Sequence, residues 1–141
     1  MDADGYLCIT DFGLAKLLEE TGQSNSFCGT PEYLAPEILQ KNFKYSYPVD
    51  WWTLGILSYE LIVGMTPFVT GSQDNKKMFN LIEKRAITFP DERYGIYLSE
   101  NCRDFIGRLL DKNPKTRLGM GGSSEVMAHP WLSEIDVDLM L

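Results

Sequence analysis

The sequence predicts a mainly helical fold with one short strand or hairpin remnant at its N-terminal end. Three observations carry that expectation. Residues 49–63 (VDWWTLGILSYELIV) are apolar almost all round, the mark of a helix buried on most faces. Residues 74–85 and 100–110 each set apolar side chains at helical spacing opposite a charged side. Against these stands a single strand signal, residues 6–10 (YLCIT), directly after the turn pair Asp4-Gly5.

Composition narrows the function classes. With 141 residues the chain has room for one domain with a real core, and 44% hydrophobic with 23% charged residues is ordinary for a soluble globular protein. A net charge of −7 argues against nucleic acid or an anionic membrane as the main partner and suits a basic peptide. Cys8, Cys28 and Cys102 are odd in number and widely spaced, so neither a disulfide framework nor a CxxC metal site is expected. Reduced thiols fit the cytosol or the nucleus. Residues 49–63 include Asp50 and Glu60 and are too short and too polar for a membrane span. No stretch reads as a signal peptide.

Taken in order, Asp4-Gly5 suits a type I′ turn, in which both central residues need φ > 0. Residues 6–10 supply the strand after that turn, but few residues precede it, so the chain is expected to begin in the middle of a fold. Residues 14–30 show no sustained period, and 19–26 (EETGQSNS) are polar. A short helix is expected from Pro36, a residue suited to a helix start. In the helix at 49–63, Asp50 in the first turn favours the helix dipole. Gly64, then Pro67, end that helix. The helix at 74–85 turns Met78, Leu81 and Ile82 inward, with its lysines on a solvated face. The helix at 100–110 buries Cys102, Phe105, Ile106, Leu109 and Leu110. Residues 111–119 are a turn-rich link. Residues 124–132 (SEVMAHPWL) form a last short helix anchored by Trp131. The glycines at 119–122 lack the preceding strand and the Gly-Lys-Ser/Thr of a phosphate loop, so they read as a flexible loop. His129 has no His or Cys neighbour and reads as a packing or capping residue rather than a metal ligand.

The stretch that organises the chain is 11–37 (DFGLAKLLEETGQSNSFCGTPEYLAPE). Asp11 follows an apolar strand, and Gly13 lets the backbone turn away at once. Asp-Phe-Gly alone is a weak signal; Asp-Phe-Gly followed at loop distance by GTPEYLAPE is a strong one. The stretch resembles the activation segment of a eukaryotic protein kinase. The resemblance runs from about Asp2 to Trp131. The spelling FCGTPEYLAPE, the run Val49-Asp50-Trp51-Trp52, Pro67-Phe68, KTRLG at 115–119 and His129-Pro130-Trp131 place it near the AGC group of serine/threonine kinases.

The resemblance implies roles for individual residues. Asp11 resembles the ligand of Mg²⁺, the cation that steadies the phosphates of ATP. Thr10 resembles a residue on the floor of the ATP pocket, while Phe12 and Gly13 complete the motif, Phe12 as an apolar plug. Ser26 stands at the activation-loop phosphosite, with Ser24 as runner-up. Lys16 stands where a basic side chain reaches that phosphate, which an upstream activating kinase would add. Thr30 resembles the threonine that contacts the catalytic aspartate. Phe27, Gly29 and Pro31 would shape the wall beside the acceptor serine. Glu32 and Glu60 resemble carboxylates that hold arginines of basic protein substrates. Asp50 matches a residue that hydrogen-bonds the catalytic-loop backbone, and simple helix capping is the plainer alternative. Glu37 and Arg117 match an ion pair that ties the activation segment to the helical lobe.

The Gly-rich loop, the strand lysine with its helix glutamate, and the HRD…N catalytic loop are not among these 141 residues. The expectation is therefore a partial kinase domain over 1–141, with the activation segment at 11–37, the central buried helix at about 49–63, and neither the smaller lobe nor the catalytic loop. Two functions compete: part of an ATP- and Mg²⁺-dependent serine/threonine kinase, or a kinase-like docking module without chemistry.

Overall fold

The structure, a computed structural model, describes residues 1, 3, 5–18, 27–40, 44–71 and 74–136. The described residues form four α-helices, α1 (Pro48–Val63), α2 (Asn75–Lys84), α3 (Glu100–Leu109) and α4 (Ser123–Met127), with 3₁₀ turns before α1, between α2 and α3, and after α4. The fold is mainly helical, as expected.

The strand does not form. Residues 6–10 belong to no ladder, and Leu7 and Ile9 stand almost fully in solvent. A strand is held by hydrogen bonds to a neighbour, and no neighbouring strand lies beside this one among the described residues. Asp4 falls outside the described residues; Gly5 has φ 94°, as a turn glycine should.

Helix α1 is the centre of packing but is not enclosed. It buries one stripe, Pro48, Trp52, Gly55, Ile56 and Tyr59, while Leu57 and Leu61 face solvent. The all-round apolar sequence predicted burial on most faces; only the face toward α3 and the links is covered. Close approach on that face requires Gly55: a Cβ there would sit 2.8–2.9 Å from Leu109 and Leu110 of the α3 end. Gly64 ends α1 with φ 83°, its N–H donating to the Glu60 carbonyl at 2.8 Å.

Helices α2 and α3 match their expected spans within a residue or two. Asp74 caps α2 by accepting from the Lys76 and Lys77 N–H groups, and Ser99 caps α3 by accepting from Cys102 N–H. Met78 and Ile82 of α2, and Cys102, Phe105, Ile106 and Leu109 of α3, are buried. The last predicted helix is split. Helix α4 ends at Met127, and Pro130–Leu132 form a separate 3₁₀ turn. Pro130 has no N–H to continue the helix and pushes His129 into an extended conformation, φ −69° and ψ 137°. His129 caps that turn, its Nδ1 accepting from Trp131 N–H, while Nε2 lies 3.0 Å from Asp104. Trp131 packs on Phe105, ring centroids 4.8 Å apart. The expected helix from Pro36 is a single 3₁₀ turn, Pro36–Leu39.

The glycine loop is tied down rather than free. Gly119 and Gly121 donate N–H bonds to the Glu125 carboxylate at 3.0 Å each, and the Tyr47 hydroxyl donates to the Met120 carbonyl at 2.7 Å.

Candidate functional site

The stretch from Asp11 to Glu37 is anchored at its C-terminal end. Pro31 starts a 3₁₀ turn, Pro31–Tyr33, and Pro36 starts the next. Each proline's preset φ suits a helix start, and its missing N–H costs nothing there. Between them Leu34 and Ala35 enter the core.

Two contacts clamp this end. The Tyr33 hydroxyl donates to the Glu60 carboxylate on α1. That bond, then burial, then the charges of Glu60 and Glu32, hold the phenol above its ordinary pKa. Four residues on, the Arg117 fork donates to both Glu37 oxygens, at 2.6 and 2.8 Å, so the expected pair is present. Arg117 also donates to the Pro48 carbonyl at 2.8 Å and to the Asp111 carbonyl at 2.9 Å, and it is fully buried. Every arm of the guanidinium is thus used, which is what makes a buried charge tolerable.

Tyr33→Phe is expected to cost about 1–2 kcal/mol, because Glu60 loses a donor in a partly buried position. A pH profile checks the cause. A raised folded-state pKa gives stability that is whole below the unfolded tyrosine pKa, about 10, and is lost as pH rises through the folded value. Urea unfolding should show that alkaline loss in the wild type and a reduced one in Tyr33→Phe.

The N-terminal end of the stretch is not clamped in this way. Asp11 is exposed and sits at φ 60° and ψ 69°, a left-handed conformation uncommon outside glycine, and it accepts a long bond of 3.4 Å from Gly13 N–H. Its carboxylate keeps oxygen lone pairs for a hard cation. Among the described residues no group of three His, Cys, Asp or Glu gathers to hold a metal. An ion at Asp11 would draw its other ligands from phosphate and water, as Mg²⁺ does. Phe12, expected as a plug, is 69% exposed, because nothing in the described chain covers it.

A cleft of about 680 Å³ opens between the stretch and the start of α1. Lys16, Gly29, Thr30, Tyr33 and Asp50 line it; Thr10, Asp11, Phe12 and Gly13 do not. Asp50 does not cap its helix: no donor reaches its carboxylate among the described residues, and burial raises its pKa above the ordinary value. A second cleft of about 580 Å³ is lined by Glu32, Asp74 and Met78 among others. Phe27 meets Phe79 of α2 edge-on, centroids 6.4 Å apart. Pro31 is half-buried at the start of its turn. Ser24 and Ser26 lie outside the described residues.

Sequence reasoning missed Tyr33 and Lys112. Tyr33 was visible as the aromatic inside GTPEYLAPE, but nothing in the sequence pairs it with Glu60. Lys112 was hidden in a polar link. It turns inward, donates to the Ile82 carbonyl at 2.5 Å, and burial beside Arg117 lowers its pKa to about 8.

Comparison with known proteins finds that the protein kinase domain family matches residues 1–132. The chain is 42% identical over 137 residues to the serine/threonine-protein kinase gad8 of Schizosaccharomyces pombe, covering 96% of this chain and 23% of that protein. It is 43% identical over 139 residues to the human RAC-beta serine/threonine-protein kinase, covering 96% and 27%. Protein kinase 2 of Dictyostelium discoideum is 41% identical over 136 residues, covering 96% and 27%. The chain therefore spans about a quarter of the length of the curated relatives it matches. No helix of the described residues is long and apolar enough to cross a membrane.

Proposed function

The chain belongs to the protein kinase domain family, with its relatives in the AGC group, and from that premise we propose that it serves in an ATP- and Mg²⁺-dependent transfer of phosphate to Ser or Thr of protein substrates. One observation carries the reading. The Gly29 to Glu37 stretch is clamped to α1 and to Arg117, which holds Thr30 at a cleft shared with Asp50. A threonine that contacts a catalytic aspartate must be rigidly held, and these contacts hold the segment that carries it.

In this reading Asp11 supplies a metal ligand. Mg²⁺, when bound, neutralises charge on the transferring phosphoryl group. Thr10 borders the nucleotide. Phe27, Gly29 and Pro31 form the wall against the acceptor segment. Glu32 and Glu60 offer carboxylate oxygens to arginines of a basic substrate, Glu60 with one oxygen already bound by Tyr33. Asp50 receives backbone donors of a catalytic loop, which would satisfy its desolvated carboxylate. Ser26, or failing that Ser24, receives a phosphate from an upstream kinase, and Lys16 meets it; the setting is cytosolic or nuclear. A catalytic base is not among the 141 residues, so the chain by itself is proposed to be inactive.

Asp11, Phe12 and Gly13 stand outside the main cleft, and this favours the second reading, a docking module without chemistry. One assay separates the two. An arginine-containing peptide and labelled ATP are supplied to the purified 141-residue chain and to a longer protein that adds the HRD and strand-lysine segments. The expected result is no transfer by the first and robust transfer by the second, strongly reduced by Asp11→Asn, which removes the proposed metal ligand, and by Ser26→Ala. Transfer by the short chain would overturn the proposed inactivity; none by either would leave docking. Equal activity of Ser26→Ala with loss in Ser24→Ala would move the phosphosite.

A further inference from the structure

Helix α2 ends at Lys84 and leaves carbonyls of its last turn without intrahelical partners. The Leu81 carbonyl is taken by Arg85 N–H, and the Ile82 carbonyl is taken by the Lys112 amine at 2.5 Å, thirty residues away. That amine lies 4.0 Å from the centroid of the Phe68 ring and 4.8 Å from that of Trp52, two rings stacked on each other 5.9 Å apart. Lys112 therefore joins α2 to the most deeply buried aromatic pair of the core. We propose that Lys112 is the positioning residue for α2, and that its amine holds the C-terminal turn of the helix on the core. Lifting that turn should then be linked to the protonation of the amine.

The coupling follows from what surrounds the amine. From α1 and the following link come ring faces, and from α2 a neutral carbonyl. From its own link comes the like charge of Arg117, whose partner Glu37 is fully committed to it. Asp111, next in sequence, is engaged with the Thr116 hydroxyl and Asn113 N–H. Burial, then the charge of Arg117, disfavour the ammonium, so the docked amine has a pKa of about 8 against about 10.4 in water. A lowered docked value means that the undocked state binds more protons between these limits. Docking then strengthens as pH rises from about 8 toward about 10.4, and below that window the penalty is fully present.

The consequence reaches the smaller cleft. Met78, one turn before Ile82, is buried on the same face of α2 and lines that cleft with Asp74 and Glu32. Tightening one end of a ten-residue helix sets the other end. That this cleft takes basic side chains rests on the proposed function; the tether itself does not.

The test is amide hydrogen exchange of the 141-residue chain from pH 7 to 9.5, with the opening of the last turn of α2 referred to α3 and corrected for intrinsic exchange. The wild type should open less as pH rises above about 8, by up to tenfold per pH unit, the limit for one linked proton. In Lys112→Met, which keeps the packing and has no proton to take up, that dependence should vanish. In Lys112→Arg the group stays charged, so the last turn should stay at the open extreme across the range. A wild type without pH dependence, or an unchanged dependence in Lys112→Met, overturns the proposal. A separate titration with an Arg-Arg peptide, followed at the Glu32 and Asp74 amides, tests the basic cleft, so the tether and the substrate reading fail independently.

Discussion

Arg117→Ala is expected to lower the stability of the chain by about 3–5 kcal/mol, the cost of breaking one side of a buried pair. Domains of this size are held by about 5–15 kcal/mol in all, so the loss is a large share of the total stability. The loss has three sources. Glu37 keeps a buried carboxylate with no cation, the Pro48 and Asp111 carbonyls lose a donor, and the Trp52 face loses the guanidinium stacked 5.2 Å from its centroid. Arg117→Lys keeps the charge but not the fork, so it should recover only part of the loss. The double change Glu37→Met with Arg117→Met removes both charges and should be less harmful than Arg117→Ala alone. Urea unfolding of the four proteins decides the matter. A cost below about 1 kcal/mol for Arg117→Ala would show that the pair is not a clamp.

Gly119→Ala is expected to cost about 2–5 kcal/mol, the sum of a left-handed backbone penalty and overpacking. Gly119 has φ 95°, and a Cβ there would lie 2.5 Å from the Trp51 indole. The indole must move, and the adjoining bonds from Tyr47 to Met120 and from Gly119 to Glu125 move with it. Gly64→Ala is the control. Gly64 also has a positive φ, 83°, but nothing lies within 4 Å of the added methyl. The difference between the two variants in unfolding free energy isolates the clash with Trp51. Equal costs would mean that the loop shifts to accommodate the methyl, and that the close approach has no energetic weight.

Much of the helical layer was legible in the sequence. The inward residues of α2 and α3 follow from apolar spacing, because a helix surface repeats every 3.6 residues whatever its neighbours are. Gly64 ends α1 through its own backbone freedom, as read, whereas the break at Pro130 was passed over in favour of one helix across 124–132. The pairing of Glu37 with Arg117 was legible only through the family resemblance, since spacing alone does not join positions eighty residues apart.

Three features were decided by tertiary structure. Residues 6–10 have strand composition but no ladder, because a strand's hydrogen bonds belong to its neighbour and not to its own sequence. Helix α1 is apolar on all sides yet covered on one, because hydropathy states what a surface prefers and packing determines what it meets. Lys112 has the composition of a solvated link residue, yet its amine lies over two ring faces. The sequence by itself determined the three longer helices and the family to which the Asp11 to Glu37 stretch points. Only the tertiary structure decided which charges are buried and which partners hold them, because desolvation and long-range contact depend on parts of the chain that local order does not bring together.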